Sequence, residues 1–433
     1  MNYLINPGRI LQGEASLPGD KSISHRSIIL GALATGTTNV FNFLESADAE
    51  STINAMRMLG VDIEGPENGN VKVLGAGMDG LRSPDSSFNM GNSGTSMRLL
   101  TGLLAAQSFD SSLYGDHSLM SRPMTRIIDP LKSMGACVKG NENGYPPLLI
   151  SGNRRLKGIN YDLPVASAQV KSCLLIAGMF AEGVTSLKEP AITRDHTERM
   201  LEGFGYPVSR TNGRISLSGG GNLHGRKFEV PSDLSSAAFF IVGASITPGS
   251  DILLRDVGIN PTRAGIIKIL ELMGADLQIL NQTEVSGEPV ADIRIRYSKL
   301  KGIQIPVDLV PLAIDEFPAI FIAAASAHGD TRLCGASELR VKESDRISSM
   351  ASGLDTLGVK NKVLDDGIII SGGEIGGGQI RSFSDHRIAM AFAIAGLVAN
   401  DTVEILGCEN VATSFPSFVE ISRSLGMEIN VES

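Results

Sequence analysis

The feature that most constrains this chain of 433 residues is an internal repeat. Six segments join an apolar helical stretch to a glycine and then to a strand-like stretch. They are Met56–Gly60, Leu131–Gly135, Leu201–Gly205, Leu270–Gly274, Leu354–Gly358 and Ser422–Gly426. The six glycines are 75, 70, 69, 84 and 68 residues apart. Because glycine takes the left-handed conformation after a helix at little cost, this near-constant period predicts six copies of one folding unit.

A second marker lies about 40 residues before each glycine, where a polar residue is followed by a small apolar helix. The six polar residues are Asp20, Asn92, Ser167, Asp233, Asp315 and Asp385. Residues of these types are preferred N-caps, and a helix that is apolar on every side belongs in a core. After the glycines, the pairs Asn68-Gly69, Asn212-Gly213 and Asp366-Gly367 predict hairpins. Each copy is therefore predicted to run β-α-β-α-β-β.

The sixth copy ends too early, because only Met427–Ser433 follow its glycine. Conversely, Tyr3–Leu17 have strand-like character but precede the first helix, so we expect them to supply strands to the last copy. The predicted fold class is α/β (α+β), with two domains of three copies each. The boundaries place residues 20–230 in one domain and residues 1–19 and 231–433 in the other, with crossovers near 19–20 and 228–233.

Composition excludes several classes of protein. No apolar run reaches the roughly 18 residues that span a membrane, and the first residues have no targeting character. The four cysteines are scattered, which predicts free thiols and no metal site. A net charge of −9 argues against nucleic-acid binding. We expect a soluble cytoplasmic protein whose anion sites are made positive only locally.

Charged and hydroxyl side chains gather at the predicted helix starts. If the buried helices of a domain are parallel, these starts share one face, where unpaired N–H groups and the helix dipole favour anions. The segments concerned are Pro18–Arg26, Gly91–Arg98, Ser121–Arg126, Ser167–Lys171, Thr193–Arg199, Asp315–Pro318, Glu338–Arg346 and Ser384–Arg387. Arginine suits carboxylates and phosphates, and Asp315 beside cations could accept a hydroxyl proton. Ordinary caps and surface ion pairs are the alternative explanation for each segment alone.

Taken together and in order, these segments resemble the 5-enolpyruvylshikimate-3-phosphate synthase family of enolpyruvyl transferases, from Gly19 to about Phe418. Gly19–Ser22, Ser167–Lys171, Arg194–Glu198 and Asn260–Arg263 are similar to the class II branch. The resemblance implies a two-domain inside-out barrel of six units. It also implies transfer of the enolpyruvyl group of phosphoenolpyruvate to the 5-hydroxyl of shikimate 3-phosphate, with loss of phosphate from a tetrahedral ketal. Neither a metal nor another cofactor is implied.

The resemblance also implies roles for individual residues. Asp315 would be the base, and Glu343 and Lys21 would move protons at the methylene carbon. The shikimate 3-phosphate site would comprise Lys21, Ser22, Arg26, Ser167, Ala168, Gln169, Arg194, Asp315 and Lys342. The phosphoenolpyruvate site would comprise Lys21, Gly94, Arg122, Gln169, Arg346 and Arg387. Asn92 and His386 would contact these residues rather than the substrate.

One departure from the family pattern, one retained glycine and two rival interpretations accompany this resemblance. Many family members carry Lys where Thr413 stands. Gly94 lacks the methyl group that would crowd the inhibitor glyphosate, which is a possible ligand. A UDP-N-acetylglucosamine enolpyruvyl transferase would have Asn in place of Ser22 and usually a cysteine within 116–126, where this chain has none. A non-catalytic anion-binding scaffold would not need both Asp315 and Glu343. The protein is expected to act as a monomer on its two substrates, without nucleic acid or membrane.

Overall fold

The chain divides into two compact units in the computed structural model, which describes residues 1–152 and 155–432. The first unit holds Gly19–Val230 together with Val285–Glu288. The second unit holds Met1–Pro18, Pro231–Glu284 and Pro289–Ser433. Each unit combines helices with sheets, so the fold is mixed α/β.

The helices range from one turn to more than three turns. In the described part of the chain they are α1 (Lys21–Leu33), α2 (Ala47–Met58), α3 (Gly94–Leu104), α4 (His117–Met120), α5 (Thr125–Ser133), α6 (Ala168–Gly178), α7 (His196–Gly203), α8 (Leu234–Ile246), α9 (Gly265–Met273), α10 (Phe317–Ala325), α11 (Arg346–Thr356), α12 (His386–Ala395), α13 (Val411–Ser414) and α14 (Phe418–Ser424). Short 3-10 turns cover Val307–Leu309, Pro311–Ala313 and Ser337–Val341. None of the described helices is long and apolar enough to cross a membrane.

The strands are mostly short. Over the same residues they are β1 (Asn2–Ile5), β2 (Gln12–Ser16), β3 (Ala34–Phe41), β4 (Asp62–Glu67), β5 (Asn70–Ala76), β6 (Phe88–Asn89), β7 (Ser111–Tyr114), β8 (Cys137–Lys139), β9 (Leu148–Ser151), β10 (Asn160–Asp162), β11 (Val184–Lys188), β12 (Ser209–Thr211), β13 (Arg214–Ser218), β14 (Leu223–His224), β15 (Lys227–Glu229), β16 (Asp251–Gly258), β17 (Asp276–Val285), β18 (Glu288–Arg296), β19 (Asp330–Leu333), β20 (Asn361–Leu364), β21 (Gly367–Ser371), β22 (Gly378–Arg381), β23 (Val403–Leu406) and β24 (Ile429–Glu432).

The sheets of each unit share one plan. In the first unit the strand orders are β14-β3-β5-β4, β6-β7-β9-β8 and β10-β11-β13-β12, with β15 also pairing with β3. In the second unit they are β17-β18-β16-β2, β19-β21-β20 and β22-β23-β1-β24. A parallel pair such as β10 and β11 is followed by antiparallel pairing to a hairpin, here β13 and β12. Since α6 joins β10 to β11, a helix connects the parallel strands and the hairpin completes the sheet.

The N-terminal segment supplies strands to two different sheets. Strand β1 pairs antiparallel with both β23 and β24, so it completes the sheet of the short sixth copy. Strand β2 does not join that sheet, which corrects the expectation for the whole of Tyr3–Leu17. It pairs in parallel with β16 instead. The fourth copy thereby gains the parallel strand that its own part of the chain does not provide.

One set of helices is enclosed by the core of each unit. Every residue of α8, α10 and α12 in the second unit is buried, as are most residues of α1, α3 and α6 in the first. These are the small, apolar helices that the second sequence marker predicts. Their polar groups can therefore reach other parts of the protein or a ligand mainly at their ends.

The six repeated glycines all have the predicted left-handed conformation. Their φ angles are 86° at Gly60, 92° at Gly135, 89° at Gly205, 90° at Gly274, 73° at Gly358 and 100° at Gly426. A residue with a Cβ rarely adopts such angles. The near-constant spacing of these glycines in the sequence is thus the spacing between successive helix C-termini.

Four of the predicted caps are confirmed, and two are wrong. Asp20, Ser167, Asp233 and Asp385 each accept a backbone N–H at a helix start. Ser93 rather than Asn92 caps α3, because the Asn92 side chain contacts Asp116 and Arg122. Residue Glu316, without a side-chain cap bond, precedes α10, because the Asp315 carboxylate lies against cations.

The contact between α3 and α6 gives a test of core packing. A Cβ added to Gly102 would lie 2.3 Å from the Cys173 carbonyl oxygen, so the two backbones would have to separate. We expect Gly102→Ala to lower the free energy of unfolding by about 1–3 kcal/mol in urea denaturation. The control is Gly373→Ala, whose Cβ would meet nothing within 4 Å. Equal stability of the two variants would contradict the packing argument.

Candidate active site

The start of α1 carries the first cation of the first unit. Asp20 caps the helix, since its Oδ1 accepts a hydrogen bond from the Ile23 N–H at 2.9 Å. The next residue, Lys21, places its Nζ 3.0 Å from Asp48 Oδ2, and its side chain is 20% exposed. A helix N-terminus disfavours positive charge, so Asp48 compensates for the position of Lys21. The ammonium group is fixed and still accessible to an anion.

Arg26 lies one turn further along α1 and is buried. Its Nη1 donates to the Ser22 carbonyl at 2.8 Å. Its Nε and Nη2 donate to Thr197 Oγ1 and Ser172 Oγ, each at 2.6 Å. Burial and then the charge of Arg194 lower the pKa of Arg26 to about 10. The guanidinium is therefore still charged at neutral pH, and a second cation is close enough to repel it.

The start of α6 adds hydrogen-bonding groups. Ser167 caps the helix by accepting a backbone N–H at 3.4 Å, and Ala168 is the first helical residue. The Gln169 amide is fixed at both ends. Its Nε2 donates to Thr95 Oγ1 at 3.0 Å, and its Oε1 accepts from Arg98 Nη1 at 2.7 Å. The starts of α3 and α6 are thus joined by side chains.

Gly94, the first residue of α3, lies between two guanidinium groups. A Cβ built there would be 2.8 Å from Arg98 Nη1 and 3.2 Å from Arg122 Nη1. Both distances are shorter than ordinary contacts, so even a methyl group would press on the two cations. The glycine therefore leaves both guanidinium groups close to a helix N-terminus, which is an arrangement suited to an anion.

Arg122 is held in place by uncharged groups. Its Nη2 donates to Asn92 Oδ1 at 2.6 Å and to Ser118 Oγ at 3.1 Å. Asn92 in turn donates from Nδ2 to Asp116 Oδ2 at 2.7 Å. Asn92 is thus oriented by a carboxylate and orients Arg122.

His25 belongs to the first segment but does not act as an acid or base at neutral pH. It is fully buried, and burial followed by the charges of Lys21 and Arg26 lowers its pKa to about 3. Its Nδ1 lies 2.7 Å from Thr52 Oγ1. A neutral imidazole that links α1 to α2 is a structural residue.

In the second unit, Asp315 precedes α10 and is ion-paired. Its Oδ1 lies 3.0 Å from Lys342 Nζ and 3.5 Å from Arg346 Nη1. The side chains of Asp315 and Lys342 remain 14% and 24% exposed. A carboxylate that is accessible and oriented by cations is placed to accept the proton of a substrate hydroxyl.

Arg346 connects the acidic residues of this unit. Its Nη2 donates to Glu343 Oε2 at 2.6 Å, and its Nε donates to Asp385 Oδ2 at 2.8 Å. Burial lowers the pKa of Arg346, but the charges of Asp385, Glu343 and Asp315 together raise it above its ordinary value. The guanidinium is permanently charged and has a fixed orientation.

Arg387 occupies the start of α12. Its backbone N–H donates to Asp385 Oδ1 at 2.9 Å, and its Nη1 donates to the Asp315 carbonyl at 2.9 Å. The neighbouring His386 is buried. The starts of α10 and α12 are thus tied together through Asp315.

The predicted residues fall into two linked groups, one in each unit. Contacts in the first unit link Ser22 to Arg26 and Asn92 to Arg122, and Arg98 contacts both Gly94 and Gln169. Contacts in the second unit link Asp315, Lys342, Glu343, Arg346 and Arg387. Thr413, where relatives in the family often have Lys, donates to the Asn410 carbonyl at 2.7 Å. Over residues 1–152 and 155–432, no three His, Cys, Asp or Glu side chains form a ligand set for a metal.

Sequence reasoning missed several partners of these residues. They are Asp48, Arg98, Ser172, Thr197 and Asp385. Arg98 could have been found, since it lies one helical turn after Gly94 in the same segment. For Asp385 the sequence predicts a cap within the charged segment Ser384–Arg387, but not the contact with Arg346. Thr197 lies in the segment Thr193–Arg199, but the sequence does not show that it contacts Arg26, and for Asp48 and Ser172 only the fold reveals the cation that each contacts.

Comparison with known proteins supports the family resemblance along nearly the whole chain. A family model described as EPSP synthase (3-phosphoshikimate 1-carboxyvinyltransferase) matches residues 5–421. The chain is 60% identical over 432 residues to the 3-phosphoshikimate 1-carboxyvinyltransferase of Halorhodospira halophila, covering 100% of this chain and 97% of the relative. It is 58% identical over 429 residues to that of Methylococcus capsulatus, with coverage of 99% and 98%.

A solved structure from the same family is also similar to this chain. The EPSP synthase from Acinetobacter baumannii matches with a TM-score of 0.90 and 56% identity, covering 100% of both chains. These findings confirm the resemblance that the ordered segments show. By its sequence and its fold, the chain belongs to the EPSP synthase family, the 3-phosphoshikimate 1-carboxyvinyltransferases.

Proposed function

We propose that the chain transfers the enolpyruvyl group of phosphoenolpyruvate to the 5-hydroxyl of shikimate 3-phosphate and releases phosphate. The activity follows from membership of the family, and it places the chain in the shikimate pathway toward chorismate and the aromatic amino acids. The family match favours this activity over transfer to UDP-N-acetylglucosamine. The observation that carries the residue roles is the accessible Asp315 carboxylate, held by Lys342 and Arg346.

Shikimate 3-phosphate combines a phosphate, a carboxylate and hydroxyl groups, so its recognition needs cations and neutral hydrogen-bonding groups. The first unit offers both near the starts of α1 and α6. The residues that we assign to this substrate are Lys21, Ser22, Arg26, Ser167, Ala168, Gln169, Arg194, Asp315 and Lys342. The fixed guanidinium of Arg26 and the oriented amide of Gln169 support the assignment.

Phosphoenolpyruvate is small and carries a phosphate and a carboxylate, so it suits sites that are rich in arginine. The residues that we assign to it are Lys21, Gly94, Arg122, Gln169, Arg346 and Arg387. The close approach of two guanidinium groups to Gly94, at a helix N-terminus, supports this assignment, because both favour an anion there. Asn92 and His386 would hold the arginines in position without contacting phosphoenolpyruvate themselves.

The chemistry explains why acids, bases and cations are all needed. Protonation of the phosphoenolpyruvate methylene carbon makes the adjacent carbon electrophilic. The 5-hydroxyl oxygen bonds to that carbon as its proton leaves, which gives a tetrahedral ketal. Loss of a methyl proton and departure of phosphate then restore the double bond. Proton transfer accelerates such steps, and fixed cations stabilise the charge that develops on phosphate.

The proton-transfer roles follow from the second unit and from α1. Asp315 would take the proton of the 5-hydroxyl. Glu343, whose side chain is 23% exposed, would give a proton to the methylene carbon and later remove one, with Lys21 as its partner. Arg346 contacts both carboxylates, so it would hold their relative position through the cycle.

The architecture we propose is a two-domain inside-out barrel of six β-α-β-α-β-β units, three in each domain. The domains would be residues 20–230 and residues 1–19 with 231–433. The six left-handed glycines and the buried helices support it. We propose the cytoplasm as its compartment, since all four cysteines are free thiols. Glyphosate would compete with phosphoenolpyruvate beside Gly94.

The activity is tested with purified protein. Mixed with shikimate 3-phosphate and phosphoenolpyruvate, it should release phosphate, and release should depend on both compounds. The same assay with UDP-N-acetylglucosamine in place of shikimate 3-phosphate should give none. Release only with UDP-N-acetylglucosamine would indicate the other enolpyruvyl transferase, and no release with either would indicate a binding protein.

Replacement of Asp315 tests the base. We expect Asp315→Ala to lower kcat by about 10²–10⁴-fold, because the 5-hydroxyl loses its proton acceptor. The Kd of shikimate 3-phosphate, measured by calorimetry, should stay within about tenfold of the unmodified protein. Asp308→Ala removes an exposed carboxylate of the same unit and should leave both values unchanged. A parallel loss of kcat and binding would show that Asp315 is structural.

Replacement of Arg122 tests the phosphoenolpyruvate assignment. Arg122→Ala should raise the KM for phosphoenolpyruvate about 10- to 100-fold, since hydrogen bonds to charged groups are lost. The KM for shikimate 3-phosphate should change far less. Lys132→Ala, which removes an exposed cation of the same unit, serves as the control. Equal effects on both substrates would refute the assignment.

A further inference from the structure

We propose that the paired hydroxyl groups of Ser172 and Thr197 position the Arg26 guanidinium, and that through Arg26 they set the affinity for shikimate 3-phosphate. The inference rests on the proposed assignment of Arg26 to that substrate. Ser172 lies in α6, Thr197 is the second residue of α7, and Arg26 lies in α1. Three helices of the first unit therefore meet at one buried guanidinium.

The two hydroxyl oxygens match the spacing of a guanidinium fork. Thr197 Oγ1 and Ser172 Oγ are 2.7 Å apart. They accept hydrogen bonds from Arg26 Nε and Nη2, each at 2.6 Å. A planar guanidinium bound at two neighbouring N–H groups cannot rotate about its long axis without breaking one of the bonds. The pair thus fixes both the position and the plane of the side chain.

Counting protons gives every bond in this cluster a direction. The Ser172 hydroxyl has one proton, and the Ala168 carbonyl, which can only accept, lies 2.7 Å from its Oγ. The proton between the two hydroxyls must therefore come from Thr197. Both oxygens then present lone pairs to Arg26. Thr197 is the critical member, because it is a donor to Ser172 and an acceptor for Arg26 at the same time.

The start of α7 is held rigidly on both sides of Thr197. His196 Nδ1 lies 2.7 Å from Glu288 Oε1, and both side chains are buried. Glu198 Oε1 lies 2.7 Å from Lys171 Nζ, again with both side chains buried. A hydroxyl between two such anchored residues has little freedom to move. Its position is suited to orienting another group.

The remaining donors of Arg26 are available for an anion. A guanidinium has five N–H groups. Among the described residues, the Ser22 carbonyl, Thr197 and Ser172 accept three of them. One N–H on Nη1 and one on Nη2 are left, and a carboxylate or phosphate can accept from both. The partners that orient Arg26 are also uncharged, so they do not neutralise the charge that attracts the substrate.

The experiment removes one hydroxyl and keeps the shape. Thr197→Val should raise the Kd of shikimate 3-phosphate, measured by calorimetry, on the order of tenfold. The KM for phosphoenolpyruvate at saturating shikimate 3-phosphate should be unchanged. Thr197→Ser, which restores the hydroxyl, should bring the Kd back to within about threefold. The matched control is Thr185→Val, because the buried Thr185 hydroxyl has no hydrogen-bond partner in the described structure.

The same replacement made in an Arg26→Ala variant shows whether Thr197 acts through Arg26. Arg26→Ala should itself weaken shikimate 3-phosphate, and adding Thr197→Val to it should then cause no further loss. If Thr197→Val does not fold, Ser172→Ala replaces it with the same expectation. An unchanged Kd in Thr197→Val beside a weakened Arg26→Ala would overturn the positioning role alone. An unchanged Kd in Arg26→Ala would overturn the substrate assignment, and the positioning role with it.

Discussion

The burial of whole helices constrains everything else in each unit. A helix leaves its first N–H groups without partners inside the helix, and α8, α10 and α12 have no exposed residue along which polar groups could reach water. Their polar chemistry is therefore concentrated at their ends. Caps such as Asp233 and Asp385 satisfy some of these N–H groups, and the charged residues beside them occupy the only part of the helix where charge is tolerated. Proposed site residues such as Lys21, Gly94 and Arg387 accordingly lie at the starts of buried helices.

The two units hold their arginines by different means. In the first unit, hydroxyl, carbonyl and amide oxygens accept hydrogen bonds from Arg26 and Arg122. In the second unit, Arg346 is held by carboxylates, among them the proposed base and proton donor. Neutral partners orient a guanidinium without placing negative charge beside it, whereas carboxylate partners bring the proposed proton-transferring groups into a fixed position. Substrate binding and proton transfer thus call for different surroundings of the same residue type.

Local features could be predicted from the sequence, and long-range ones could not. The six glycines and the caps at Asp20 and Ser167 depend on a few neighbouring residues, so they can be recognised from the sequence alone. The sequence predicts Asn92 and Asp315 as caps because its pattern shows no competing partner. In the fold, however, Asn92 contacts Arg122 and Asp315 contacts Lys342. The place of β2 and the contacts of Thr197 depend on segments far apart in the chain. The family resemblance supplied candidate residues, but not the groups that hold them.

The pairing of β1 has a consequence for how the protein is made. Its two neighbours, β23 and β24, are synthesised only after Gly19–Val230, which lie between them and β1 in the chain. Domains generally fold as units while synthesis proceeds, and Gly19–Val230 form nearly all of the first unit as one continuous stretch. The first strand of the chain must therefore wait with both edges open while the stretch behind it acquires structure. A nascent chain released before residue 403 would keep that strand exposed, and it would be a natural point of recognition for chaperones and proteases.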